Sequence, residues 1–242
     1  MGIKTISWSN DDMFAKHNRS LWYTLGVKHY DLVGTQKSYN AHPEELPSFG
    51  ANVFFQDKAF DPRINYPVEN CNDFNCVHDV VFVGSKEKDR YDHIRFLAEN
   101  GIKVNIYGWG KPDAASYHEN ILFHDRHLFG EEFSAALGCS RIALNFLRKI
   151  NRDLQTSRSV EIPASKGFML AERTDEHLKL FEEGVEACYF SSKEELLEKV
   201  EYYLNNKTER DAIAKAGFRR CYESNYTFEN RMQELIEKVF NG

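Results

Sequence analysis

Arg158 and Glu161 stand three residues apart at the head of Arg158-Ser-Val-Glu161-Ile-Pro-Ala-Ser-Lys-Gly167-Phe-Met-Leu-Ala171. On a helix that spacing puts a guanidinium and a carboxylate on one face, where they can grip one ligand together. Gly167 permits a tight exit that a Cβ would resist, and Phe168 to Ala171 reads as a short strand inside a parallel sheet. An acid and a base beside such a corner suit a phosphorylated sugar or a nucleotide. A structural helix with a salt bridge fits the same spacing. A second candidate is Gly84-Ser85-Lys86 with Arg90. Glycine lets backbone N–H groups approach an anion, and Lys86 or Arg90 can add charge. Read alone, Arg90 is more often a solvated helix residue. Gly108-Trp109 after an apolar run is a third position of the same kind.

Other chemistries find no support. The chain has no G-x-S-x-G, H-E-x-x-H or C-x-x-C, no Walker lysine pattern and no complete G-x-G-x-x-G. Its nine histidines show no ligand spacing. His124 and His127 share a face if their stretch is helical, and read as surface or rim residues. Cys71, Cys76 and His78 lie close enough to raise zinc, but no fourth ligand follows at a familiar spacing, so metal is expected to be absent.

The elements that must position these residues alternate. Strands are expected over residues 1–10, 30–35 and 52–55, with a brief helix stopped by Gly50. Phe14, Leu21, Trp22 and Leu25 have roughly helical spacing between the first two strands. From Asp79 the pattern becomes that of a larger α/β domain. Asp79 to Gly84 is a buried strand, a helix carries Tyr91, Ile94, Leu97 and Ala98 on one face, and Ile102 to Tyr107 is the next strand. This is a right-handed βαβ unit. Further strands fall at 141–146, 168–171 and 187–190. Helices fall near 131–137, 176–181, 192–204, 209–221 and 227–240, and Ser192-Lys-Glu-Glu195 is a capping box.

In an open parallel sheet ligands bind outside the carboxyl ends of the strands, where all three candidate positions fall. A helix N-terminus there would favour an anion by about 0.3–1 kcal/mol, up to ~2 when partly buried. A glutamate bonded to sugar hydroxyls would add about 1.5–3 kcal/mol.

With 242 residues, 42% of them apolar and 28% charged, the chain can hold one large α/β domain with a smaller lobe. The expected division is 1–72, 73–225 and a C-terminal helix at 226–242 able to cross back to the first lobe. The net charge of −6 gives no reason to expect nucleic-acid binding. Five scattered cysteines argue for reduced thiols in a cytoplasmic protein, and no secretory signal or apolar run of ~20 residues is visible.

Taken together, Arg158-x-x-Glu161-Ile-Pro-Ala-x-x-Gly167-Phe-Met-Leu-Ala and Phe181-x-x-Gly184-x-Glu186 resemble the C-terminal half of the CgeB-like (spore maturation protein) glycosyltransferases. These are similar to glycosyltransferase family four and have the GT-B fold. The resemblance runs on through Arg210, Ala214-x-Ala216-Gly217 and Tyr226-Thr-Phe. Upstream it takes in Asp79 to Ser85 with Arg90, Gly101 to Trp109, Asn10-Asp-Asp12, Tyr30-Asp31 and Thr35-x-Lys37-Ser38.

The resemblance implies transfer of a sugar from a nucleotide-diphosphate sugar to a glycan, lipid or protein acceptor, with retention at the anomeric carbon and without a bound metal or other cofactor. It puts Glu161 on the ribose and makes Arg90 and Arg158 the diphosphate partners, with Gly84, Ser85, Gly108 and Trp109 lining the donor site. Asp153 holds the first carboxylate position of an E-x7-E pattern, shortened from glutamate. Asp12, Asn18 and Lys37 would face the acceptor. The N-terminal lobe is shorter than the family's, so a shortened natural form or a partner chain completing the lobe is expected. The alternative is a module that binds sugar nucleotides, or regulates, without turnover.

Overall fold

The computed structural model describes residues 3–110 and 117–241. The chain divides into two compact units. The smaller comprises Met1–Ala59, Lys149–Asp153 and Phe228–Gly242, the larger Phe60–Arg148 and Leu154–Thr227. The first boundary therefore falls at Ala59/Phe60 rather than 72/73. Phe60 is fully buried and its N–H donates to Tyr226 O at 3.0 Å, so it is core of the larger unit. The short insertion at 149–153 is invisible to hydropathy, because its residues are polar and would suit any surface loop.

The smaller unit is a parallel three-stranded sheet of β1 (Ile6–Ser9), β2 (Leu32–Thr35) and β3 (Val53–Phe55), in that order. The helix α1 (Leu21–Gly26) starts at Ser20, whose hydroxyl accepts from Tyr23 N. It is shorter than the apolar spacing suggested. Leu21, Trp22 and Leu25 are exposed, while Phe14 and Tyr23 pack beside Val27, Val33 and Leu46. The C-terminal helix α8 (Phe228–Asn241) belongs to this unit, with Leu235 buried and Arg231 O accepting from Gln56 Nε2 at 2.6 Å.

The larger unit is a six-stranded parallel sheet: β4 (Val80–Val83), β5 (Val104–Tyr107), β6 (Ile121–His124), β7 (Ile142–Asn145), β8 (Met169–Glu172) and β9 (Cys188–Phe190). Its spatial order is β6-β5-β4-β7-β8-β9. Numbered within the unit this is 3-2-1-4-5-6, and the direction of winding reverses between β4 and β7. Such a reversal opens a crevice at the carboxyl ends of those two strands.

Helices α2 (Lys88–Glu99), α3 (Gly130–Cys139), α4 (Arg158–Ala164), α5 (Asp175–Leu180), α6 (Lys193–Asn205) and α7 (Lys207–Glu223) accompany the sheet. Because successive strand side chains point to opposite faces, Val81 and Val83 of β4 join one core and Val80 and Phe82 the other. Both faces are covered, so β4 reads as an unbroken apolar run and β5 and β7 as apolar runs each with one buried asparagine, Asn105 and Asn145.

At three points the structure adds to the sequence reading or corrects it. The stretch before His127 is the edge strand β6, not a helix. Ile121 pairs with Val104 and His124 with Tyr107, and of its four residues only Ile121 is fully buried, which leaves little apolar signal. The tight exit expected at Gly167 is present, although the left-handed residue of the corner is its neighbour Lys166, at φ 61°. Glycine is required at 167 because a Cβ would collide with Leu137 O, as one at Gly138 would with Ser165 O. Finally, the five thiols are not all free. Cys71 and Cys139 form a disulfide with Cα atoms 5.6 Å apart, within the range such a bridge spans, while Cys76, Cys188 and Cys221 are buried thiols.

Candidate functional site

At the carboxyl ends of β4 and β5 lies a cavity of about 270 Å³. Gly84, Ser85, Gly108 and Arg158 line it, together with Tyr107, His127, Leu128, Phe129 and Phe133. The two glycines let the backbones of the β4 and β5 exits meet. Gly108 has φ 93°, and a Cβ there would lie 2.8 Å from Gly84 O. A larger residue at 108 would close the mouth.

Arg158 reaches the cavity from the first position of α4. Its Nε donates to Val83 O at 2.9 Å, its guanidinium carbon sits 4.5 Å from the centre of the Phe133 ring, and it pairs with Glu161. The carbonyl fixes the guanidinium at the sheet edge, and the ring covers one of its faces. Both side chains keep some exposure, 25% for Arg158 and 18% for Glu161. The pair is thus accessible to a ligand rather than sealed in the core.

Beneath α4 runs a buried polar network that holds this short helix. Ser159 Oγ accepts from Thr156 N at 2.9 Å and from Asn145 Nδ2 at 3.1 Å, and lies 2.7 Å from His177 Nε2. His177 Nδ1 is 2.6 Å from Glu172 O, a carbonyl that can only accept, so the ring proton is on Nδ1 and Ser159 donates to Nε2. Glu172 in turn accepts from Leu147 N at 2.7 Å. Burial holds His177 down at about 4, against the Glu172 carbonyl, which favours the charged form.

Arg90 has a different place from the one expected. It is 7% exposed and does not line the cavity. Its Nη1 donates to Ser85 O at 3.0 Å and Ser85 Oγ at 2.9 Å, its Nε to Leu147 O at 3.2 Å and its Nη2 to Phe146 O at 3.3 Å. It ties the loop after β4 to the loop after β7 across the switch point. Trp109 also turns away from the cavity, packing against Phe82, Tyr91 and Phe123 in the opposite core.

Asp153 belongs to the smaller unit, where it pairs with Lys37 and accepts from Asn151 Nδ2 at 2.9 Å. Lys37 and Asp153 are 2% and 9% exposed. Beside them Arg152 grips Asp12 at 2.6 and 2.9 Å and Glu45 at 2.7 and 2.9 Å, and Asn18 Nδ2 donates to Asp12 O at 3.0 Å. Burial raises the Asp12 carboxyl, but the bonds from Arg152 and Asn40 outweigh it and hold the group below the ordinary carboxylate value. These residues satisfy one another within a single cluster.

Several lining residues escaped sequence reading. Tyr107, Leu128, Phe129 and Phe133 carry no motif. His127, read as a rim residue, does stand at the cavity. Tyr107 is positioned by stacking on His124, with ring centres 4.4 Å apart, and lies 2.8 Å from His78 Nε2. Burial and the neighbouring His124 hold His78 down at about 4, so its ring is neutral at pH 7. Among the described residues no cluster of histidine, cysteine and carboxylate side chains could hold a metal ion. Cys71 is taken by its disulfide, and Cys76 Sγ contacts Glu132 O at 3.2 Å. Among the described residues no helix is long and apolar enough to cross a membrane.

Comparison with known proteins bears on the fold and the family. No curated protein matches the chain. Solved structures do match, at low identity. HepE of Anabaena, solved with UDP-glucose, superposes with a TM-score of 0.71 at 12% identity over 98% of this chain and 72% of that one. Sucrose-phosphate synthase of Thermosynechococcus elongatus gives 0.68 at 10% over 98% and 68%. TarM of S. aureus gives 0.68 at 12% over 99% and 50%. The chain thus spans between half and about three quarters of these neighbours, whose fold is the GT-B fold of glycosyltransferases. The model of the family described as Glycosyl transferase-like matches residues 90–237, more than half of the 242. The chain belongs to that glycosyl transferase-like family.

Proposed function

We propose that the chain binds a nucleotide-diphosphate sugar at the cavity beside Gly84 and Arg158 and transfers the sugar to an acceptor hydroxyl. The observation that carries this is the convergence of Gly84, Ser85, Gly108 and Arg158 on one cavity at the carboxyl ends of β4 and β5, next to the strand-order reversal between β4 and β7. It is the place where an open α/β sheet takes its ligands. The solved complex of HepE with UDP-glucose makes a uridine diphosphate sugar the first donor to try.

Each residue then has a task that its surroundings allow. The N–H groups near Gly84 and Ser85 and the guanidinium of Arg158 face the diphosphate. Glu161, already beside Arg158, accepts from ribose hydroxyls. Arg90 acts indirectly, by fixing Ser85. In the transfer the bond from the anomeric carbon to the diphosphate oxygen breaks and a bond to the acceptor oxygen forms. The acceptor's proton leaves toward the departing phosphate. Charge grows on that phosphate, and fixed donors there stabilise the transition state more than the bound substrate. We read the reaction as retaining and independent of a metal, carried out in the cytoplasm. Asp153 serves in this reading as the counter-ion of Lys37 rather than at the donor.

The test is thermal unfolding with UDP and GDP, followed by incubation with UDP-glucose. UDP is expected to raise the melting temperature, and Glu161→Ala to remove most of the rise while leaving the unliganded protein folded. A folded chain that responds to no nucleoside diphosphate would overturn the proposal. Stabilisation without transfer or donor hydrolysis would leave the binding half and point to the non-catalytic module.

A further inference from the structure

At the opposite edge of the same sheet, where β7 and β8 begin, lies a cavity of about 350 Å³ adjoining another of about 370 Å³. Gly138, Cys139 and Lys166 line both, so the disulfide to Cys71 forms part of their shared wall. The remaining lining is markedly basic. Arg141, Lys166, Lys207 and Arg210 face the first cavity, and Lys215 faces the second. The carboxylates beside them are Asp211, paired with Lys207, and Asp79, 3.1 Å from Arg141. Five cations against two carboxylates is a local excess of positive charge on a chain whose net charge is −6.

Arg210 makes this more than a group of surface lysines. It is 6% exposed and lines the cavity. Among the described residues the one hydrogen-bond partner of its side chain is Tyr203 O, and the side chain has no carboxylate within ion-pair distance. Burial, and repulsion from Arg141, push its guanidinium below the ordinary arginine value, against the pull of Asp211 and Asp79. A buried charge without an ion-pair partner is expensive, and an anion supplied from solution removes the expense. Lys207 and Arg210 also stand in the first turn of α7, where the helix dipole favours negative charge. The one carboxylate of that turn, Glu209, does not line the cavity and accepts from the Tyr202 hydroxyl at 2.7 Å. An anion held there satisfies both demands.

We propose that this cavity is a second ligand site, distinct from the one beside Gly84, and that it takes a soluble phosphate-bearing anion of about the size of pyrophosphate or a nucleotide. Arg210 supplies the buried cation, and Lys166 and Arg141 close on the phosphates from the rim. Because the site stands at the far ends of the strands, its occupancy is independent of the donor reading.

The probe is inorganic pyrophosphate, titrated into the full chain at constant ionic strength and followed by thermal shift and isothermal calorimetry. Saturable stabilisation is expected, beyond that of sodium chloride at matched ionic strength. Lys166→Asn keeps a residue tolerant of the left-handed conformation, and with Arg141→Gln it should weaken binding by roughly tenfold or more. Arg158→Met, on the donor side, should remove only the binding that the diphosphate cavity contributes and leave a pyrophosphate site that still responds to the rim variants. If Arg210→Met does not fold, the two rim variants still decide the matter. Pyrophosphate binding that disappears with Arg158→Met and survives both rim variants would overturn the proposal, as would no binding beyond ionic strength. Co-sedimentation with phosphatidylglycerol vesicles that is lost in Lys166→Asn would overturn the soluble ligand in favour of a lipid headgroup.

Discussion

Ser159 and His177 keep the two-turn helix that carries Arg158 and Glu161 in place, and their chemistry sets a pH limit on it. His177 is fully buried with its proton on Nδ1, and its folded value lies near 4. In the unfolded chain the same ring titrates near ~6.5. Above that value both states are neutral and the network contributes in full. As the pH falls from there toward 4, the unfolded chain takes up a proton that the folded one refuses, so stability is lost in that window. One proton carries at most about 1.4 kcal/mol per pH unit, or on the order of 3 kcal/mol over the whole window. The melting temperature is therefore expected to fall between pH 6.5 and 4, with a shallower fall in His177→Gln from an already lower start. Parallel slopes in the two proteins would remove His177 as the cause. The Arg158–Glu161 contact itself was open to sequence reasoning, because a separation of three on a helix leaves the two side chains little choice. The network beneath was not, since Asn145, Ser159 and His177 are joined only by the packing of β7, α4 and α5.

The loops after β4 and β7 meet because one buried arginine satisfies carbonyls from both. Arg90→Met keeps most of the volume but leaves Ser85, Phe146 and Leu147 carbonyls without that donor. Buried acceptors left unmet cost about 1–3 kcal/mol each where water cannot reach them. A loss of about 2–4 kcal/mol in urea unfolding is expected, with weaker UDP binding that follows the displacement of Ser85. A loss of UDP affinity with unchanged stability would instead make Arg90 a direct phosphate ligand. The same pair of loops marks how far sequence carried. Mostly apolar runs placed β4, β5, β7, β8 and β9, because strands covered on both faces need hydrophobic residues at nearly every position. The edge strand β6 has one fully buried residue and gave no such signal. The burial of Arg90 was illegible for a related reason. On its own helix it is a polar residue among polar residues, and only the adjacency of β4 and β7 gives it carbonyls to bind. Gly167 was recognised as a position that a Cβ would not fit, while the atom that excludes it, Leu137 O, comes from another helix and was not legible.

On the scale of the whole chain, residues Lys149–Asp153 leave the larger unit and are claimed by the smaller through charge. Arg152 adopts φ 47°, uncommon for a residue with a Cβ, and its bidentate grips on Asp12 and Glu45 hold it there. Asp153 neutralises Lys37, and both are nearly inaccessible. The family resemblance set Asp153 with Glu161, as the first carboxylate of an E-x7-E pattern. The chain's division assigns Asp153 to the smaller unit and Glu161 to the larger, and within its own unit the Asp153 carboxylate is engaged by Lys37 and Asn151. Asp153→Asn separates the alternatives. As a structural counter-ion, its loss strands a buried ammonium and should lower stability by about 3–5 kcal/mol, part of it regained in Lys37→Met/Asp153→Asn, where the charge is gone as well. The UDP-induced rise in melting temperature, measured on each variant from its own baseline, should survive in both. A UDP response that vanishes in Asp153→Asn while stability holds would return Asp153 to the donor site. The double variant decides the remaining case: rescue of stability without rescue of UDP binding would give the carboxylate both tasks, whereas rescue of both leaves it only the lysine.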